Sequence, residues 1–99
     1  MTVKITRSSG NVFLDLGFPR EEAQNLKLRS KLMIEITKLI RRRGMTQARA
    51  AKFFGVSQPR ISDLMRGRID RFSIDTLIEM LTHAGARVTI KVHRARQVA

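Results

Sequence analysis

Residues 47–66, QARAAKFFGVSQPRISDLMR, decide how the rest of the chain is read. They describe two short helices joined by a tight turn, with Gln47 at the head, Ala51 four residues on, Gly55 at the bend, and Ile61 and Leu64 on the second helix. Two helices that cross at about 90–120° across a short turn approach closely only where one presents a small residue, which Ala51 supplies. Gly55 suits a bend where a Cβ would be strained. Ile61 and Leu64, three residues apart, share one helical face and hold the second helix against the first, so its opposite face is left free.

That free face begins at Ser57, a good N-cap residue, and continues through Gln58, Pro59, Arg60, Ser62, Asp63 and Arg66. In a helix-turn-helix the second helix enters the major groove with its N-terminal residues against base edges. Gln and Arg carry forked polar ends that match adenine and guanine there, and a proline ring can touch a thymine methyl. Base contact is therefore expected from Ser57, Gln58, Pro59, Arg60, Ser62 and Asp63. Gln47 opens the preceding helix, where unpaired amides already favour an anion, so it is expected on a phosphate. Arg49, Lys52 and Arg66 are expected to make further phosphate contacts. The bland alternative is a helical hairpin with a solvated polar face.

Charge favours the first reading. Twenty Lys and Arg against eight Asp and Glu leave +12 over 99 residues. The excess is concentrated in residues 19–44, with eight basic against three acidic groups, and 45–72, with six against two. Such an imbalance around the two-helix motif points to a polyanionic partner. A basic helix lying on a membrane is the rival, but Trp and Tyr are absent and the apolar faces are committed to a core. No apolar run approaches the roughly 18 residues of a membrane span, and the first residues, MTVKITRSSG, lack the apolar stretch of a signal peptide. A cytoplasmic protein is expected, associated with the nucleoid when bound to DNA. The chain has no cysteine, and His83 and His93 have no suitably spaced partner, so neither a metal site, a cofactor nor an enzymatic activity is expected.

Length and periodicity give one domain in four parts. Residues 1–18 read as a mobile segment ending in an apolar cluster, Val12, Phe13, Leu14, Leu16 and Phe18, too short and Gly-interrupted for a good helix. Val3 and Ile5 alternate with Lys4 and Thr6, which allows a short strand. Residues 19–85 form the helical domain. Pro19, Glu21 and Glu22 mark a helix start, and Leu28, Leu32, Ile36, Leu39 and Ile40 recur at helical spacing up to Arg41–Arg43 and Gly44. A break near Ser30 is left open. Thr46 and Ser57 cap the next two helices, and Gly67 ends the second of them. Ser73 caps one more, with Ile74, Leu77, Ile78 and Leu81 on a single face. Beyond Gly85 the period falls to 2, and Ala86, Val88, Ile90 and Val92 alternate with Arg87, Thr89, Lys91 and His93, which predicts a strand over residues 86–93. A strand needs a partner. The same strand of a second copy is preferred, making Val88, Ile90 and Val92 dimer contacts; the Val3–Ile5 segment and another protein are the alternatives. Residues 94–99 read as a basic tail.

The fold expected is thus mainly α: a helix-turn-helix bundle of four to five helices with a C-terminal β-strand paired across a dimer. Its central stretch resembles the phage-repressor and Cro kind of helix-turn-helix, the Xre-type regulators. The resemblance implies that Gln47, Ser57, Gln58 and Arg60 touch DNA, and that Arg68, Arg71 and Phe72 lie in a loop whose basic groups and backbone amides grip phosphates. Over roughly residues 8–92 the order of parts, SSGNVFLDLGF, EEAQNLKLRSKL, TQARAAKFFGVSQPRISDLMRG and RFSIDTLIEML, is similar to that of HigA-like antitoxins. That similarity implies a homodimer that represses its own operator on double-stranded DNA and neutralises an RNA-cleaving toxin. Two other readings stand beside it: a protein-interaction module whose DNA binding is secondary, and a non-specific nucleic-acid-binding protein.

Overall fold

The structure, a computed structural model, describes residues 1–6 and 11–93; the expected basic tail at 94–99 and Ser8, Ser9 and Gly10 lie outside the described residues. In chain order the elements are β1 (Thr2–Thr6), α1 (Val12–Asp15), α2 (Arg20–Arg42), α3 (Gln47–Phe54), α4 (Gln58–Met65), a single 3-10 turn (Ile69–Arg71), α5 (Ile74–His83) and β2 (Arg87–Lys91). The fold is the mainly helical one expected, with five helices and a C-terminal strand.

Helix α2 passes through Ser30 without a break, 23 residues in one piece. At 1.5 Å per residue it is about 35 Å long, and α1, α4, α5, β1 and the 3-10 turn pack on it. Ala23, Leu26, Leu28, Leu32, Met33, Ile36 and Ile40 are buried, and Leu28, Leu32, Ile36 and Ile40 step by fours along one face. Glu21 and Glu22 in the first turn and Arg41 and Arg42 in the last lie at the dipole ends that stabilise them.

The three following helices begin at the caps their sequence supplies. The Thr46 hydroxyl accepts from the Arg49 amide, Ser57 from Arg60, and Ser73 from Thr76, each satisfying one amide that the first helical turn leaves unpaired. Phe54, Ile61, Leu64, Phe72, Leu77, Met80 and Leu81 close the core against α2, all at 2% exposure or less.

Of two N-terminal features, one differs from expectation and the other was only allowed for. The apolar cluster contains a helix after all, one turn long, because the Asn11 side chain caps it by accepting from the Phe13 amide at 3.0 Å. Phe13 and Phe18 then meet edge to face at 6.1 Å between centroids, while Val12, Leu14, Leu16 and Phe18 remain exposed. Ahead of it, residues 2–6 are a strand whose Val3 and Ile5 are buried at 5% and 3% exposure.

That strand supplies the partner of β2. The two run parallel, Val3 opposite Val88 and Ile5 opposite Ile90, so the partner seen within the chain is the N-terminal segment and not the second copy that was preferred. Parallel pairing requires a long crossover, and here the whole helical domain is the crossover. The burial expected along β2 fades toward its end: Ala86 is buried and Val88 half-buried, whereas Ile90 and Val92 are 37% and 72% exposed. The buried side of the sheet is therefore carried mainly by β1.

Candidate nucleic-acid interface

The interface is built on the α3–α4 corner. Ala50 and Ala51, buried on α3, let α4 approach, and Ile61 and Leu64 fill the space between. Gly55 makes the bend with φ of +68°, and a Cβ there would stand 2.7 Å from the imidazole of His83, at the end of α5. His83 Nδ1 lies 3.2 Å from the Phe53 carbonyl, so α5 braces the turn from behind. With its apolar side committed, α4 leaves Ser57, Gln58 and Pro59 exposed at its start, while Arg60, Ser62 and Asp63 are half-buried along it. Gln47, Arg49 and Lys52 on α3 are exposed, as are Arg66, Arg68 and Arg71 after α4.

The recognition helix and the loop behind it are tied together. Arg60 stacks its guanidinium over the Phe72 ring, 5.4 Å from the centroid, and donates through Nη1 to the Arg71 carbonyl at 2.9 Å. One of its five donors is thereby used, and the rest remain available. The Asp63 carboxylate takes Arg71 at 3.3 Å and Arg68 at 3.8 Å. Asp63, expected at a base edge, pairs here with two cations of the loop.

Phe72, expected in the loop that grips phosphate, turns its side chain into the core. Its side chain is 2% exposed, part of the core, and its amide is spent on the Ile69 carbonyl at 3.3 Å. A ring of this size gains far more from burial than from a polar surface. The resemblance carried over a loop position; it could not tell that this chain uses the residue to anchor the loop.

Three residues were not singled out for this site. From α2, Arg29 reaches the loop and Asn25 holds it: Arg29 Nε donates to Asn25 Oδ1 at 2.7 Å, and its Nη1 donates to the carbonyls of Ile69 at 3.1 Å and Phe72 at 3.2 Å. His83 is the third. In the sequence Arg29 reads as one more solvated cation on a basic helix, and nothing local marks it. The i, i+4 spacing of Asn25 and Arg29 was the only legible hint.

A helix pair with a half-embedded second helix, an exposed polar N-terminus on it and cations on both flanks defines a helix-turn-helix DNA-binding protein. Residues 12–93 match the family described as "Helix-turn-helix domain", and the chain belongs to that family. Among solved structures it is similar to an XRE-family transcriptional regulator, with a TM-score of 0.70 and 26% identity over 79% of this chain and 91% of that one. No curated protein matches. The family match and this likeness support a DNA-binding transcription regulator. Among the described residues no helix is long and apolar enough to cross a membrane.

Proposed function

We propose that the protein is a dimeric, sequence-specific repressor in the cytoplasm that reads its operator with the first turn of α4. The observation that carries this is the exposure of Ser57, Gln58 and Pro59 at the head of a helix whose other face is sealed by Ile61 and Leu64. Gln58 is the leading base reader. Arg60 joins it with the donors not spent on the Arg71 carbonyl, and Ser62 extends the contact along the helix. Gln47, Arg49, Lys52, Arg66, Arg68 and Arg71 take phosphates on either side. Two copies would place two such helices on half-sites about 34 Å apart; Ile90, Val92 and the outer edge of β2 are the surface through which they would join, with Val88 behind them.

The test uses genomic fragments recovered by the purified protein. Affinity should fall with salt by about 0.9 in log-log slope for each phosphate neutralised. Gln58→Ala and Arg60→Ala should each cost about 1–3 kcal/mol on the recovered site if they read bases. Equal losses on the recovered site and on a scrambled duplex would sink base reading and leave non-specific binding.

A second reading, neutralisation of a toxin by the same chain, is favoured by the apolar surface of α1. Val12, Leu14, Leu16 and Phe18 are 39–69% exposed, beside a groove of about 410 Å³ lined by Phe13, Met33, Ile34, Leu64, Met65 and Ile69. Large apolar side chains left together on a surface mark interaction sites. Co-expression with the product of the adjoining gene separates the activities: a Gln58→Ala, Arg60→Ala variant that still rescues growth neutralises without operator binding. Failure of the wild type to rescue removes the antitoxin role.

A further inference from the structure

The loop between α4 and α5 is held from the α2 side by the guanidinium of Arg29. Arg29 is half-buried on α2, and Asn25 one turn earlier fixes its Nε at 2.7 Å. A guanidinium is a rigid planar fork, so fixing Nε also fixes the direction of Nη1. That one nitrogen donates to Ile69 at 3.1 Å and Phe72 at 3.2 Å, the two carbonyls that bracket the 3-10 turn. Arg60 takes the carbonyl of Arg71, between them. The backbone that carries Arg68 and Arg71 is thus pinned at three carbonyls, by cations from α2 and α4.

We infer that Arg29 is a positioning residue for DNA binding: it touches no DNA itself and presets the loop from which Arg68 and Arg71 meet phosphate. This rests on the reading in which that loop grips the duplex. The physical reason is preorganisation. A loop that must be ordered at the moment of association subtracts that cost from affinity, and here the ordering is done beforehand by groups of the protein. Lysine does not substitute, because an ammonium has no planar fork to hold Asn25 and two carbonyls at once.

Arg29→Ala, Arg29→Lys and Asn25→Ala test this, with binding to a short mixed-sequence duplex followed by fluorescence anisotropy over a salt series. Arg29→Ala should weaken binding about tenfold, the weight of one charge-assisted hydrogen bond. Arg29→Lys should recover little of it, and Asn25→Ala, which leaves every charge in place, should show a smaller loss in the same direction. In an Arg71→Ala background the Arg29→Ala loss should shrink, because the two act through one contact. Hydrogen exchange of the free protein should show faster amides at Arg71 and Phe72 in Arg29→Ala, with α3 and α5 unchanged, which separates loop release from unfolding.

Wild-type affinity in Arg29→Lys would show that only the charge matters and would overturn the proposal. So would full additivity with Arg71→Ala, or unchanged exchange at the loop. A wild-type protein that binds no duplex would remove the DNA-binding reading and this inference with it; wild-type binding with no change in Arg29→Ala removes this inference alone.

Discussion

Gly55→Ala should destabilise the protein by more than its backbone angle alone explains, and a second glycine provides the control. Gly55 and Gly67 have nearly the same conformation, φ of +68° and +72°, so a Cβ at either brings a left-handed penalty of about 1–2 kcal/mol. They differ in what the Cβ meets. At Gly67 nothing lies within 4 Å, while at Gly55 three atoms of the His83 ring lie at 2.7–2.8 Å. The ring can swing away, but only by giving up its hydrogen bond to the Phe53 carbonyl, a contact of about 0.5–1.5 kcal/mol. Gly67→Ala should therefore cost about 1–2 kcal/mol and Gly55→Ala about 1.5–3.5 kcal/mol. In a domain of this size each kcal/mol lowers Tm by about 4–8 °C, so urea and thermal unfolding resolve the difference. In a His83→Ala background the gap between the two glycine variants should close. Equal costs in the wild-type background, or a gap that survives removal of His83, would refute the idea that α5 braces the turn through this ring.

Three further outcomes follow from the packing. Phe72→Ala should cost about 3–5 kcal/mol as a large core truncation, seen first as lost stability in calorimetry; a variant that folds normally and binds DNA weakly would restore Phe72 to the interface. Ile5→Ala should cost about 2–5 kcal/mol and Ile90→Ala, opposite it on the more exposed strand, under about 1 kcal/mol, so urea midpoints that rank them the other way would contradict the sheet described. Ser57→Ala should lose about 1 kcal/mol from the missing cap in urea unfolding, with no change expected in the oligomeric state measured by sedimentation.

The helices after Gly44 were legible because independent signals coincide on them. Thr46, Ser57 and Ser73 cap where the apolar period restarts, and Gly55, Gly67 and Gly85 stop where it ends, each agreement reinforcing the others. The continuity of α2 was not legible, since a serine within a helix is neither a good former nor a breaker. Residues 2–6 offered only Val3 and Ile5, too short an alternation to separate a strand from a tail; what makes them a strand is β2, more than eighty residues on. The outward set on α4 could be read from Ile61 and Leu64 alone. The ties among Arg29, Arg60, Asp63, Arg71 and Phe72 could not, because a charge on a helix shows nothing of a carbonyl forty residues away, and composition counts every cation alike.

Pairing the first strand beside the last gives the fold an order in time. Val3 and Ile5 leave the ribosome more than eighty residues before the strand they pair with, since Thr2 lies beside Arg87. The helices can pack before β2 has been made; the sheet cannot, and bringing its two strands together carries the entropy of a loop that spans nearly everything between them. A nascent chain halted at Gly85 would hold a finished corner for the groove and an unseated leading strand, so arrest at successive lengths, probed by protease at Lys4, should show that strand becoming protected only when residues 87–91 have emerged.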